Sequence, residues 1–197
     1  YSFLHISSCF PRKGIECLLT SYGSSFTNSD DVSLIIKTFK NEHNNIYQLL
    51  EKLYESNPNF PDVNIIDSDL DDQEISSLYQ QCDALVAPSH GEGFNLTVAE
   101  GMRLGLPVIT TSWGGQMDFC NSENAWLIDY KFEYSKSHLC TSSSVWAKPS
   151  DIHLSQLLKD VYHAPSNILS SRINAAKQTI SEYKWENVVK KNQDFVL

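Results

Sequence analysis

The 197-residue chain has no apolar run approaching the ~18–20 residues that a membrane-spanning helix needs, and no secretory leader is expected. Positive charge is scarce. Lys and Arg total 15 against 24 Asp and Glu, for a net charge of −9 and an isoelectric point near 5.0. The basic face of a nucleic-acid binder is therefore missing, and that class is set aside. A ligand of low charge, such as one diphosphate, needs only one or two local cations and stays open. The five cysteines (Cys9, Cys17, Cys82, Cys120, Cys140) form no Cys-x-x-Cys pair and have no histidine at metal spacing. They read as free thiols of a reducing, cytoplasmic compartment. The six histidines form no metal constellation, so no metal is expected. No internal repeat is visible. No Gly-x-Gly-x-x-Gly follows the first apolar strand, which argues against a dinucleotide-dependent dehydrogenase. An initiating methionine is also absent. The chain runs straight into an apolar strand, and we expect it to be a piece of a longer protein.

What is present is a regular alternation. With 41% hydrophobic residues, the chain can fill one well-packed domain. Residues 3–6, 34–38, 63–66, 84–88, 107–109 and 125–128 read as short apolar strands. Helices are expected between them at 14–22, 45–56, 71–81 and after residue 95. Ile46, Leu49, Leu50, Leu53 and Tyr54 share one helical face. Asp71 or Asp72 supplies an N-cap, with Glu74 in the first turn. Strands separated by helices must run parallel. The predicted fold is therefore α/β, a doubly wound, Rossmann-like parallel sheet. Gly114-Gly115-Gln116 is expected to open a further short helix. Residues 131–149 read as a Ser-rich surface excursion, and 151–163 and 166–182 as two helices. A tail over 183–197, with Trp185, Val188, Val189, Phe195 and Val196, has its own apolar face. The expected division is a ligand-binding domain over 1–182 and a helical tail over 183–197, the tail packing towards a domain outside this chain.

The segment Glu92-Gly93-Phe94-Asn95-Leu96-Thr97-Val98-Ala99-Glu100 is the most informative. It lies between two apolar strands, in the loop where such sheets bind ligands. Amides at a helix start lack intrahelical partners and carry partial positive charge, so Gly93, Phe94 and Asn95 are placed to meet an anion. Gly91 and Gly93 let the backbone come close to a ligand. Carboxylates repel phosphate but accept charge-assisted bonds from vicinal diols, which suits Glu92 and Glu100 to sugar hydroxyls. A nucleoside diphosphate-sugar would satisfy both halves of the motif. Two solvated acids beside a turn are the plain alternative, and the strand-loop-helix-strand context weighs against it. Pro11-Arg12-Lys13-Gly14 follows the first strand on the same edge. Its cations suit a leaving diphosphate or, equally, a solvated turn. Trp113-Gly114-Gly115-Gln116 either approaches a phosphate or simply starts a helix. His90 either shapes a sugar site or is solvated.

Three segments together resemble the carboxy-terminal half of a family 4 retaining glycosyltransferase of the GT-B fold. They are FLHISSCFPRKGIECLL, LYQQCDALVAPSHGEGFNLTVAEGMRLGLPVITT and YKWENV. The resemblance implies that Lys13 binds the diphosphate, Glu100 the ribose hydroxyls and Glu92 the donor sugar at the reacting centre, with Glu92 and Lys13 as the catalytic pair. It implies amides of Gly93, Phe94, Asn95 and Leu96 on sugar hydroxyls and phosphate. It also implies a retained anomeric configuration, no cofactor and no metal. The family carries an arginine five residues before the lysine, after a glycine. Ser7 and Ser8 stand there instead, and Arg12 or the serine hydroxyls would take over. The expected partners are a nucleotide-sugar donor, an acceptor hydroxyl on a glycan, lipid-linked sugar or other molecule, and an amino-terminal acceptor domain of the same protein. Placement would be cytoplasmic, or peripheral to a membrane through that other domain. Alone, this half should bind a nucleoside diphosphate weakly and transfer nothing. The competing readings are a GT-B sugar-nucleotide epimerase, a phosphorylase (no lysine suits its pyridoxal cofactor) and a non-catalytic nucleotide-sugar-binding or interaction module.

Overall fold

A computed structural model of the chain describes residues 1–136, 143–184, 186, 187 and 189. Cys140, Trp185, Val188, Phe195 and Val196 lie outside the described residues, and with them most of the expected tail.

Six strands form the main sheet: β1 (Ser2–Ile6), β2 (Ser33–Lys37), β3 (Asp62–Ile66), β4 (Ala84–Ala87), β5 (Val108–Thr111) and β6 (Trp126–Ile128). Their spatial order is β3-β2-β1-β4-β5-β6, and every pairing is parallel. The chain builds outward from β1 in one direction through β2 and β3. It then returns to the other side of β1 with β4. The reversal between β1 and β4 opens a crevice at the carboxyl ends of those two strands, the place where open α/β sheets bind ligands. The loop after β1 carries Arg12 and Lys13, and the loop after β4 carries Glu92.

Helices cover both faces: α1 (Ile15–Ser25), α2 (Ile46–Ser56), α3 (Asp72–Gln81), α4 (Leu96–Leu104), α5 (Asp151–Tyr162) and α6 (Ser166–Ser181). Strand alternation sorts the core into two layers. Phe3, Val86 and Ile109 point to one side, against Leu18, Tyr22, Leu154 and Leu158. Leu4, Leu85 and Val108 point to the other, against Tyr79, Val98 and Met102. Each such side chain, fully buried, contributes about 1.5–3 kcal/mol. The α3 cap is Asp71: its carboxylate accepts from the amides of Gln73 and Glu74, and Glu74 reaches back to the Asp71 amide in a capping box.

Two expectations need correction. The first helix runs on past residue 22 to Ser25. Gly23 does not end it. That glycine makes room for Phe60, whose ring a Cβ there would overlap. Nor is the strand near residue 126 the last. Part of the segment read as a surface excursion forms an antiparallel pair, β7 (Tyr130–Tyr134) with β8 (Val145–Pro149). The serines of the intervening segment hid the alternation of Tyr130, Phe132 and Tyr134, whose rings share one face. Gly115–Asp118 is a single 3-10 turn, and β5 joins β6 without an α-helix.

Candidate functional site

Four segments converge at the crevice. The first is the turn after β1. Pro11–Lys13 forms a 3-10 turn that ends at Gly14, in the left-handed region with φ 74°. Both the backbone angle and the Pro88 carbonyl, which a Cβ would overlap, demand glycine there. The turn is stitched to the second segment, the loop after β4, by the His90 amide donating to the Arg12 carbonyl at 2.7 Å.

That stitching brings Arg12 and Lys13 onto Glu92. The Lys13 ammonium lies 2.6 Å from Glu92 Oε1 and an Arg12 guanidinium nitrogen 3.1 Å from Oε2. The same guanidinium nitrogen donates to the Gly91 carbonyl at 3.3 Å. The Glu92 side chain is only 9% exposed. In the free protein this carboxylate therefore bridges both cations, and the cluster carries one net positive charge. A carboxylate bound to two cations is also oriented: it has little freedom to turn away from the crevice.

The third segment is the start of α4. Asn95, the N-cap, holds the left-handed conformation with φ 73°. Its side chain accepts from the Thr97 hydroxyl at 3.0 Å rather than capping the helix. The amides of residues 93–97 have no protein partner among the described residues, so they remain available with their partial positive charge. Phe94 anchors the loop. Its ring packs on Phe119 at 5.0 Å and Tyr183 at 6.1 Å. A Cβ at Gly91 or Gly93 would meet open space, so the fold itself does not require glycine at either position.

The fourth segment is the Trp113-Gly114-Gly115-Gln116 turn. The close approach expected of these glycines is made to protein backbone. The Gly115 amide donates to the Glu92 carbonyl at 2.9 Å, and a Cβ on Gly115 would overlap the Gly93 carbonyl. Gln116 is locked from behind, its amide nitrogen donating to the carbonyls of Thr111 and Trp113.

Six buried side-chain polar atoms lack a partner among the described residues; four belong to these segments (Ser89 Oγ, His90 Nδ1, Asn95 Nδ2 and Gln116 Oε1) and a fifth, Thr111 Oγ1, ends β5 on the same sheet edge. Buried polar atoms are satisfied almost everywhere in folded proteins. Their concentration at one sheet edge leaves that edge with polar groups for water or a ligand to satisfy. The His90 ring also stacks on Trp146 at 4.2 Å, and its carbonyl accepts from the Ala147 amide. The β7–β8 pair is thereby fastened to the loop. Burial lowers the His90 pKa.

Glu100 sits on the exposed face of α4, and Tyr79 of α3 donates to its Oε2 at 3.0 Å. A cavity of about 690 Å³ opens between α4 and the end of α6, lined among others by Phe94, Glu100, Arg103, Lys177 and Tyr183. Glu92 and Lys13 do not line it. They lie at the carboxyl ends of β1 and β4.

At the end of β1, where the two serines stand, His5 decides what they can do. It is buried, with Nδ1 2.7 Å from the Val86 carbonyl and Nε2 2.8 Å from Ser7 Oγ. Burial lowers its pKa to about 4. The ring is therefore neutral, with its proton on Nδ1, the only arrangement a carbonyl accepts. Nε2 must then accept from the Ser7 hydroxyl. The Ser7 oxygen in turn accepts from the Cys9 amide at 3.0 Å; the Cys9 sulfur, 3.8 Å away, is a weak rival for its proton. Ser7 is thus committed and has no proton left for a phosphate. Among the described residues Ser8 is engaged only through its carbonyl, by Asn41, so its hydroxyl is the one of the pair open to a ligand.

His5 also imposes a pH dependence. Its folded pKa of about 4 lies below the unfolded 6.5, so between these values the unfolded chain binds the extra proton. Stability is whole above pH 6.5 and falls as pH drops towards 4, by about 3 kcal/mol for this group. Urea unfolding at pH 7 and pH 4.5 should show the loss, and His5→Gln should flatten it.

The comparisons with known proteins agree with this fold. The model of the family described as glycosyl transferases group 1 matches residues 1–134. The chain belongs to the group 1 glycosyl transferases. Over 179 residues it is 30% identical to the O-antigen biosynthesis glycosyltransferase WclY of Escherichia coli, covering 90% of this chain and 43% of that protein. The chain thus spans less than half the length of the curated relatives it matches. Among solved structures, the carboxy-terminal domain of a group 1 glycosyl transferase from Francisella tularensis superimposes with a TM-score of 0.71 at 17% identity, covering 92% of this chain and 85% of that one. The Anabaena protein HepE, solved with UDP and glucose, gives 0.75 at 18% identity over 99% of this chain and 47% of that one. The fold of this group 1 glycosyl transferase domain is the Rossmann-like carboxy-terminal half of GT-B. No helix among its described residues is long and apolar enough to cross a membrane.

Proposed function

We propose that this chain is the donor-binding half of a retaining glycosyltransferase. It would present a nucleoside diphosphate-sugar to an acceptor hydroxyl held by an amino-terminal domain, in glycoconjugate synthesis. The observation that carries this reading is the cluster of five orphaned buried polar atoms around free helix-start amides, with two cations alongside.

The diphosphate lies against the start of α4, with Lys13, Arg12 and the Ser8 hydroxyl supplying the remaining donors. Arg12 takes the part of the arginine that the family carries at the Ser8 position, reaching the crevice from the other side of the turn. Binding exchanges the Lys13–Glu92 contact for a Lys13–phosphate contact, and Glu92 turns to hydroxyls of the sugar. The amides of Gly93, Phe94, Asn95 and Leu96 complete the cradle beside Gly91. Glu100 accepts from the ribose diol. As the bond to the sugar breaks, charge grows on the departing diphosphate, where Lys13 and the amides already point. This charge stabilisation calls on no metal or cofactor. The likeness to a protein solved with UDP and glucose supports a donor of this class.

Thermal unfolding with UDP, GDP, ADP and their sugars tests the reading. One nucleotide, at ten times its dissociation constant, should stabilise the chain by about 1.4 kcal/mol and raise the melting temperature by about 3–5 °C. Glu100→Ala should remove most of that shift. Equal shifts in both proteins would remove Glu100 from the ribose. No shift with any nucleotide would overturn the donor site in this chain.

A further inference from the structure

Tyr79 is fully buried, on the face of α3 that packs against α4. Its hydroxyl is the one polar atom of the side chain, and it emerges between two acceptors on α4: the Thr97 carbonyl at 3.1 Å and Glu100 Oε2 at 3.0 Å. A phenol has one proton to give. The carboxylate is the stronger acceptor, and the Thr97 carbonyl also lies within the regular hydrogen bonding of the helix. Burial first, and the charge of Glu100 second, push the Tyr79 pKa far up. It therefore stays a donor at any pH the protein meets.

A glutamate on an exposed helix face normally samples several rotamers. Here one oxygen is tied down from inside the fold, and the other is left for a ligand. We infer that Tyr79 is a positioning residue for nucleotide recognition: it fixes the Glu100 carboxylate so that the free oxygen meets the 2′- and 3′-hydroxyls of a ribose, and so sets the preference for ribo- over deoxyribonucleotides. Tyr79 touches no substrate and acts through Glu100. The inference rests on the donor-site reading above. What it adds is the source of sugar discrimination at that site.

The experiment compares the tightest-binding of UDP, GDP and ADP with its 2′-deoxy form by titration calorimetry on the whole chain. Wild type should prefer the ribonucleotide by about tenfold, the worth of one well-made hydrogen bond to a charged group. Tyr79→Phe deletes only the hydroxyl and should bring that ratio to within about threefold, with the ribonucleotide losing more affinity than the deoxynucleotide, which keeps only its 3′-hydroxyl. In a Glu100→Gln background, Tyr79→Phe should leave the ratio where Glu100→Gln alone puts it, since the two act as one unit. A role confined to packing would move both affinities together and leave the ratio intact. Should Tyr79→Phe fail to fold, 3-fluorotyrosine at position 79 keeps the packing and strengthens the donor; the ratio should then rise, and an unchanged ratio would overturn the inference. A wild type that discriminates, together with a Tyr79→Phe that discriminates equally, also overturns it while leaving the donor site standing. A wild type that binds none of the three nucleotides overturns both.

Discussion

Replacing Lys13 with alanine will weaken nucleoside diphosphate binding by about 10- to 100-fold, the loss of one charge-assisted contact to phosphate. The direction for its partner is opposite. Glu92 holds Lys13 at 2.6 Å and Arg12 at 3.1 Å in the free protein, so the phosphate must take Lys13 away from a carboxylate. Glu92→Gln removes that competitor without changing the side-chain shape. The diphosphate alone should then bind about three- to tenfold more tightly, while transfer by the full-length protein collapses because the sugar loses its carboxylate. Calorimetry with the diphosphate and a turnover assay with the nucleotide-sugar separate the two effects. A Glu92→Gln variant that binds the diphosphate more weakly than wild type would show that the ion pairs are not in competition with the ligand.

Gly115→Ala is expected to be more damaging than any substitution of the loop glycines themselves. A methyl group there runs into the Gly93 carbonyl, so either the 3-10 turn or the Glu92–Gly93 backbone must move. Overpacking of this kind costs about 1–3 kcal/mol. The Gly115–Glu92 backbone bond is strained with it, and displacing a binding loop by even about 1 Å costs roughly a hundredfold in a site that depends on orientation. Gly91→Ala is the internal control. Its added methyl meets open space, and the melting temperature should stay within about 1–2 °C of wild type, as for surface changes generally. If Gly115→Ala and Gly91→Ala behave alike in unfolding and in nucleotide binding, the docking of the two turns has no bearing on the site.

Much of the fold could be read from the sequence because its strands are short, apolar and separated by long amphipathic stretches. Leu34, Ile36, Leu85 and Val86 need only be buried on both faces to define a parallel sheet. Asp71 could be read as a cap because capping is settled within four residues. The acidic loop could be placed because a strand precedes it and a helix follows. Contacts between elements far apart in the chain were not legible. Tyr79 reads as one more helical core aromatic, and nothing in its neighbourhood says that its hydroxyl reaches an acid 21 residues on. His5 looks like a strand residue, and only the Val86 carbonyl beside it reveals why Ser7 has no proton to spare. Gly115 reads as either a phosphate approach or the start of a helix, and nothing local shows that the Glu92 and Gly93 backbone packs against it. In each case the deciding partner is brought in by the packing of one element on another, which a local pattern does not encode.

The β1–β4 pairing described above has a bearing on when the site comes into being. Lys13 and Glu92 lie 79 positions apart, and the contacts that join their two loops can form only when the fourth strand docks on the first. Two strand–helix units, β2–α2 and β3–α3, lie between them in the chain. Such long-range parallel pairings are slow to form, because chain entropy is spent before any contact rewards it. Partly folded chains holding only β1, β2 and β3 would have a sheet but no trace of the crevice. A nucleotide held as proposed would therefore be a ligand of the finished fold alone.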